Sequence, residues 1–241
     1  MKVYYDLHMH SCLSPCGADD MTPNNLVNMA ALAGLQVIAV ADHNTTKNVP
    51  AAMAVGREAG VLVVPAMELT TKEDIHVLCL LPDPETAEDF RKYVYERLPQ
   101  RKNRPKAFGN QFVMDENDEI IEEETQILKF GSSIGIYETR RLLEDFHGLA
   151  VPAHIDRASF SLIGVMGNVD PDMGFHVYET TPGCDREALM EKYHFRGGFI
   201  SNSDAHDLIA IQDAERTLDV EKMSPKGVIE AVRRLGEPFA S

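Results

Sequence analysis

The fold is decided by the stretch Lys2-Val3-Tyr4-Tyr5-Asp6-Leu7-His8-Met9-His10. Its alternating pattern is typical of a β-strand, in which every second side chain points to the same face. His8 and His10 therefore share one face at the end of the predicted strand. Two imidazoles placed in this way can hold one divalent cation. A single His-x-His pair is weak evidence for a metal site, so the interpretation depends on whether other ligand-type residues converge on it.

Short apolar runs recur along the chain, and segments with helical spacing of apolar residues separate most of them. The predicted strands after the first are Val37–Ala41, Val61–Met67, Ile75–Leu81, Leu149–Ala153, Phe175–Glu179 and the run 198–202. Strands that are apolar throughout favour a parallel sheet covered by helices on both faces. The pattern therefore predicts an α/β fold.

The length of 241 residues and the 44% of hydrophobic residues suit one large domain, such as an α/β barrel. We expect a single domain over residues 1–241, with an insertion at about 99–132 where the alternation of strands and helices breaks down. This insertion contains a basic cluster at 101–104 and a predicted hairpin at 112–121. It is interpreted as a lid near the site, with a solvated surface excursion as the alternative.

The formal net charge of −15 bears on the partners of the chain. Such a chain repels a polyphosphate backbone, so long nucleic acid is an unexpected partner.

No run of 18 apolar residues occurs, and we expect no membrane span. Because the sequence enters a strand without a signal-peptide pattern, a cytoplasmic protein is expected. A disulfide framework among the four cysteines is not expected in such a protein.

Ligand-type residues stand where the apolar strands end. These residues are His43, Glu68, His154, Asp204 and His206. In a parallel barrel the C-terminal ends of the strands share one rim, and the active site lies there. His76 departs from the rule because it stands near the start of its run, so its strand runs differently or its side chain enters from lower down. Each residue alone has a structural explanation, but together they predict a metal site at the rim.

These motifs resemble those of the polymerase and histidinol phosphatase (PHP) family. The resemblance is carried by His8-Met9-His10, Ala41-Asp42-His43, Glu68, His76, Pro152-Ala153-His154 and Asp204-Ala205-His206. It runs over essentially the whole chain. It implies a distorted (β/α)7 TIM-like barrel with two or three divalent metal ions at the C-terminal rim of the strands. It also implies hydrolysis of phosphoesters, and the ligand types suit zinc, iron or manganese without choosing among them.

The resemblance also implies a distribution of the metal ligands. The first metal is assigned His8, His10, Glu68 and Asp204; the second is assigned Glu68, His76 and His154; the third is assigned His43 and His206. Many family members complete the third site with a histidine or aspartate shortly after the first pair. Here Pro15 and Cys16 occupy that neighbourhood, so Cys16 is the expected ligand and Asp20 is the alternative.

The function expected from these residues is a metal-dependent phosphoesterase that hydrolyses a small phosphorylated metabolite or nucleotide through a metal-activated hydroxide. Glu68, Asp204 and Arg157 are the candidate catalytic residues. Arg157 stands three residues after His154 and would grip a phosphate oxygen, with a surface salt bridge as the alternative. A general acid is not obvious, and Asp42 or a metal-bound water is considered for that role.

Two alternative functions stay open at this point. Binuclear barrels also hydrolyse C–N bonds, so a metallohydrolase acting on a non-phosphate bond is the first alternative. A regulatory module that retains metals without catalysis is the second, although the intact ligand set argues against it. The sequence leaves open the substrate, the choice between monoester and diester, and the oligomeric state.

Overall fold

The computed structural model describes residues 1–239, which form ten β-strands and eight α-helices. The strands are β1 (Lys2–Met9), β2 (Val37–Val40), β3 (Leu62–Thr70), β4 (His76–Leu80), β5 (Phe112–Met114), β6 (Ile120–Glu123), β7 (Leu149–Pro152), β8 (Val177–Thr180), β9 (Gly198–Ser201) and β10 (Thr217–Asp219). All of the strands predicted from the apolar runs are present, with ends shifted by at most three residues.

Most helices lie between strands, and five of the eight in the described residues begin at a residue whose side chain accepts a capping hydrogen bond. They are α1 (Pro23–Leu32), α2 (Val49–Ala59), α3 (Pro84–Tyr95), α4 (Pro105–Phe108), α5 (Ile136–Asp145), α6 (Leu162–Met166), α7 (Arg186–Tyr193) and α8 (Pro225–Arg234). The Thr22 side chain accepts a hydrogen bond from the Asn25 amide, and Pro23 follows at the first helical position, as the sequence predicts. No helix in residues 1–239 combines the length and apolar character that a membrane crossing requires.

The main sheet has the strand order β10-β1-β2-β3-β4-β7. Strands β1, β2 and β3 are parallel, as predicted. The prediction is wrong at β4, which runs antiparallel to β3 and places His76 opposite Thr70. Because β4 is reversed, its first residue lies at the rim where β3 ends. The departure of His76 from the strand-end rule is therefore explained by the direction of its strand.

The remaining strands complete a curled half-barrel and leave a seam. Strands β8 and β9 form a separate parallel pair, and no ladder joins β9 to β1 within the described residues. Across this seam the Leu7 amide donates to the Asn202 side chain at 2.8 Å, and the Ser203 amide donates to the Asp6 carboxylate at 3.1 Å. The predicted α/β class is confirmed, whereas the predicted distorted (β/α)7 barrel is not, because the main sheet forms a curled half-barrel in which β4 is reversed.

The hydrophobic core lies on both faces of the main sheet. Leu7, Ala39, Val64 and Leu78 fill the concave side together with α8 residues such as Val228. Met9, Ile38 and Val40 belong to a second cluster with residues of α1 and α2. Met9 does not share the face of Leu7, because the pairing of β1 with β2 is irregular between Asp6 and Met9. Burial on both faces explains why these strands are apolar throughout. It also holds the strand ends, and the polar residues on them, in fixed positions.

The segment 99–132 is folded against the polar rim. The predicted hairpin is formed by β5 and β6. Asn44, next to His43, donates to the Leu128 carbonyl at 2.7 Å, and Gly109 lies so close to the Pro15 carbonyl that a side chain at this position would clash with it. The segment is therefore a wall of the candidate site, and its action as a lid stays a prediction.

Candidate metal centre

The C-terminal ends of the parallel strands bring the polar residues of the sequence motifs together. The residues are His8 in β1 and His10 directly after it (together the β1 histidines), Cys16 in the following loop, His43 after β2, Glu68 in β3, His76 at the start of the reversed β4, His154 after β7, and Asp204 and His206 after β9. All nine residues predicted as metal ligands thus lie around one rim. Their assignment to individual metals stays a proposal.

Glu68 lies at the middle of the cluster and is 1% exposed. Its carboxylate is approached by five imidazole nitrogens: His43 Nδ1 at 2.9 Å, His76 Nδ1 at 2.9 Å, His154 Nε2 at 3.2 Å, His8 Nε2 at 3.3 Å and His10 Nε2 at 3.4 Å. Burial raises the pKa of the Glu68 carboxyl, but the charges of His76 and its neighbours outweigh it and hold that pKa well below its usual range. A carboxylate in this position can bridge two cations.

Asp204 lies on the other side of the two β1 histidines. Its Oδ1 is 3.1 Å from His10 Nε2 and 3.5 Å from His8 Nε2. Its Oδ2 accepts a hydrogen bond from Arg157 Nη1 at 2.5 Å. Burial raises the pKa of Asp204, but the charge of His8 and the adjacent His10 imidazole lower it overall. The structure therefore joins Arg157 to a candidate metal ligand, a contact that was not expected from the sequence.

Cys16 lies among three histidines at the solvent edge of the cluster. One donor atom each from His10, Cys16, His43 and His206 lies within 4.8 Å of the others. Burial would raise the pKa of the Cys16 thiol, but hydrogen bonds from His206 and His43 lower it to about 6. The alternative ligand Asp20 is exposed and belongs to none of the donor groups found among the described residues. The geometry thus favours Cys16 over Asp20.

The donor atoms fit divalent cations. Two further groups meet the same 4.8 Å criterion: His8, His10 and Asp204, and His43, Glu68 and His76. His8 Nε2, His10 Nε2, His43 Nδ1 and Asp204 Oδ1 are buried without a hydrogen-bond partner. Unsatisfied buried polar atoms are destabilising, and a cation would satisfy them. The group of His43, Glu68 and His76 differs from the ligand set expected for the second metal, in which His154 took the place of His43.

Two buried carboxylates outside the expected ligand set orient the β1 histidines. Glu179 at the end of β8 lies 3.0 Å from His8 Nδ1 and also accepts from the His154 amide at 3.0 Å. His10 Nδ1 lies 2.9 Å from the Ser14 hydroxyl, which donates to Asp42 at 2.7 Å. Carboxylates and hydroxyls bound to the second ring nitrogen fix the orientation of a metal-binding imidazole.

The sequence contained a signal for Glu179 that was not used. Glu179 closes an apolar strand in the same way as Glu68, so the strand-end rule applied to it as well.

Asp42 was considered as a general acid, but it is 1% exposed and accepts hydrogen bonds from both Ser11 and Ser14. This arrangement favours a positioning role for Asp42 over proton donation.

Strained backbone is concentrated at the same rim. Asn44, His154, Phe160 and Asp204 have positive φ angles of 55°, 31°, 53° and 53°. Such angles are uncommon for residues other than glycine, and they often occur at functional sites. Phe160 is 44% exposed, and its ring stacks on His76 with 4.9 Å between the ring centroids. An exposed aromatic ring is therefore held at the mouth of the cluster.

Comparison with known sequences gives a partial match. No protein-family model matches the chain. A 5′-3′ exoribonuclease of Haemophilus influenzae is 32% identical over 83 residues, which are 33% of this chain and 29% of that protein. The chain therefore matches less than one third of the length of this relative.

Comparison with solved structures identifies the fold. The lesion-specific endonuclease EndoQ of Pyrococcus furiosus superposes with a TM-score of 0.67 and 19% identity, over 98% of this chain and 57% of that one. A Bifidobacterium adolescentis protein described as a metal-dependent phosphoesterase superposes with a TM-score of 0.59 and 19% sequence identity, over 96% of both chains. A two-domain Bacteroides vulgatus protein is described as containing a PHP-like metal-dependent phosphoesterase. It superposes with a TM-score of 0.55 and 15% sequence identity, over all of this chain and 64% of that one. The chain has the fold of PHP-type phosphoesterases, as the sequence resemblance predicts.

Proposed function

We propose that the chain is a PHP-type, metal-dependent phosphoric ester hydrolase. The observation that carries this proposal is the convergence of six histidines, two carboxylates and one thiol on a single rim, with buried donor atoms that lack hydrogen-bond partners. The shared fold of the metal-dependent phosphoesterases supports it. Zinc, iron and manganese all suit this donor set.

The residues divide into ligands and substrate-binding groups. His8, His10, Glu68 and Asp204 would hold one divalent cation, Glu68 with His76 and His154 a second, and Cys16 with His43 and His206 a third. When bound, such cations lower the pKa of a water molecule and balance the charge of a phosphate group. Arg157 is 41% exposed, so its remaining N–H groups can face a phosphate oxygen while one of them holds Asp204.

A small phosphorylated metabolite or nucleotide is the substrate class that we propose first. The exposed ring of Phe160 beside His76 offers a stacking surface for a planar group attached to the phosphate. The alternatives of C–N bond hydrolysis and of a non-catalytic metal-binding module remain as outcomes of the test below.

A second candidate substrate, the phosphodiester of a single nucleic-acid strand, is favoured by one part of the wall of the site, residues 101–108 and 129–130; the acidic residues of the wall lie apart from these in the sequence, at 115–124. Arg101, Lys102, Arg104, Lys106 and Lys129 are all exposed there, and none of them forms an ion pair within the described residues. Phe108 and Phe130 stand among these cations with 5.7 Å between their ring centroids. Cations interleaved with aromatic rings suit a strand of phosphates and bases.

This surface weighs against the expectation that long nucleic acid is an unlikely partner. That expectation rested on the net charge of the whole chain, whereas binding depends on the local distribution of charge. The endonuclease EndoQ, which shares the fold, is known in complex with a 27-mer duplex carrying an abasic lesion.

A substrate panel tests both candidates. The protein loaded with manganese should hydrolyse phosphomonoesters or phosphodiesters and leave amides intact. Absence of phosphoester turnover in protein with full metal content would contradict the proposed function. If a nucleic-acid strand is the substrate, Arg101→Gln with Arg104→Gln should raise KM for a single-stranded 12-mer and leave KM for a mononucleotide unchanged. Arg57→Gln with Arg141→Gln removes the same charge from exposed positions elsewhere and serves as the control.

A further inference from the structure

A groove opens at the seam between β9 and β1, away from the polar rim. Its volume is about 430 Å³, within the range of small-molecule sites. Tyr5 of β1 and Phe199 of β9 form part of its wall, and α8 closes one side. The groove exists because β9 pairs only with β8, so the two strands at the seam do not share a ladder.

Three arginine side chains line this groove, which we name the arginine groove. Arg186 comes from the first position of α7, Arg216 from the residue before β10, and Arg234 from the last position of α8. Residues far apart in the chain thus bring three guanidinium groups to one surface depression. The convergence is unexpected in a chain that has 38 acidic residues against 23 basic ones.

Two of the three guanidinium groups lack a carboxylate partner within the described residues. Arg186 donates to the Thr180 hydroxyl at 3.1 Å and lies 5.4 Å from the centroid of the Phe199 ring. Arg216 donates to the Gln212 side-chain carbonyl, and its Nε is buried without a partner. Arg234 is the exception, because it pairs with Glu221 at 2.9 Å.

The carboxylates near the groove do not pair with Arg186 or Arg216 within the described residues. Asp219 is the only acidic residue that lines it among the described residues, and its backbone carbonyl accepts a hydrogen bond from Arg234. Asp6 lies behind the wall, where it accepts from the Ser203 and His8 amides. Like charges that are held together repel each other, and an anion placed among them removes that repulsion.

We propose that the arginine groove is a second anion site, which binds the phosphate group of a small phosphorylated molecule. Guanidinium groups present paired N–H donors that match two phosphate oxygens at once. The rings of Tyr5 and Phe199 provide an apolar surface beside them for the organic part of the ligand. The site is separate from the metal centre and does not depend on the function proposed for that centre.

Equilibrium dialysis with radiolabelled inorganic phosphate tests the proposal on the metal-loaded protein. We expect two bound equivalents per chain, one at the metal centre and one in the groove. Arg186→Gln with Arg216→Gln should lose one equivalent and keep the metal content and the rate of phosphoester hydrolysis. The control, Arg57→Gln with Arg141→Gln, should keep both equivalents.

Two results would contradict phosphate binding in the arginine groove. A double variant of Arg186 and Arg216 that binds as many equivalents as the intact protein would show that the guanidinium groups hold no phosphate. A single equivalent in the intact protein that is lost when the metals are chelated would have the same meaning, even if the double variant failed to fold. Loss of one equivalent in the control variant would show that binding follows overall charge, which also contradicts the proposal.

Discussion

The two sides of the metal centre are built in different ways. The Glu68 side, made of Glu68, His76 and His154, consists of residues on or directly after strands, and Glu68 is almost completely buried. The Cys16 side, made of Cys16, His43 and His206, includes a loop residue that is exposed and a histidine whose side chain is 32% exposed. Strands packed on both faces hold their ends rigidly, whereas a loop ligand adapts and meets solvent. The Glu68 side should therefore govern catalysis, and the Cys16 side should govern metal exchange.

Glu68→Gln tests the Glu68 side of the centre and should have the largest effect on turnover. Loss of the charge that five imidazoles share should lower turnover by roughly three orders of magnitude. Steady-state kinetics on the best phosphoester of the panel measures it. Glu124→Gln is the matched control, since Glu124 is also buried but pairs with Lys47 away from the centre. Normal turnover of the Glu68 variant with full metal would remove the bridging role.

Glu179→Gln tests whether the support behind the histidines matters on the Glu68 side. The amide keeps the shape but weakens the contact that orients His8, and we expect a 10- to 100-fold loss of metal affinity, as is typical for such partners. Metal titration followed by elemental analysis measures the affinity. An unchanged affinity, together with an unchanged melting temperature, would show that Glu179 does not position His8.

Cys16→Ser tests the other side of the centre and should remove about one metal equivalent per chain. Cys12→Ser is the control within the same loop: Cys12 is fully buried, and its thiol lies 3.5 Å from the Met114 sulfur. Cys16→His should restore the metal, because imidazole replaces the thiolate as a ligand. Equal metal content in the two serine variants would exclude Cys16 as a ligand.

Arg157→Ala separates two roles for one guanidinium. If Arg157 grips the phosphate, KM should rise roughly tenfold at constant metal content, as expected for a lost hydrogen bond to a charged group. If it only holds Asp204, metal content should fall instead. KM and metal content measured on the same preparation decide between these roles, and no change in either would place Arg157 outside the site.

Thiol alkylation gives the smallest effect and compares the two loop cysteines directly. After chelation of the metals, the rate of Cys16 alkylation by iodoacetamide should rise through a pKa of about 6, because His206 and His43 stabilise the thiolate. Cys12 should stay unreactive, since burial raises its pKa to about 12. Mass spectrometry of the labelled peptide measures both rates. A Cys16 rate that rises only near pH 9 would contradict the contact with the histidines.

Much of the centre follows from local sequence patterns. The two-residue spacing of His8 and His10 predicts that they share one face of a strand. In the structure their Nε2 atoms lie 3.3 Å and 3.4 Å from the Glu68 carboxylate. Glu68 and His154 follow apolar runs that can only be buried strands, so their place at a rim is determined by the same physics. The segment 99–132 could be set apart in the sequence because the alternation of strands and helices stops at residue 99, and its origin as an insertion stays a prediction.

Other features depend on contacts between distant segments. The direction of β4, and with it the position of His76, is determined by pairing with β3 and β7, and an apolar run has no direction of its own. The contact of Arg157 with Asp204 joins residues 47 positions apart. The arginine groove collects side chains from three elements at a seam where two strands fail to pair. Periodicity along a chain determines which face a residue occupies, but only the packed sheet determines which faces meet.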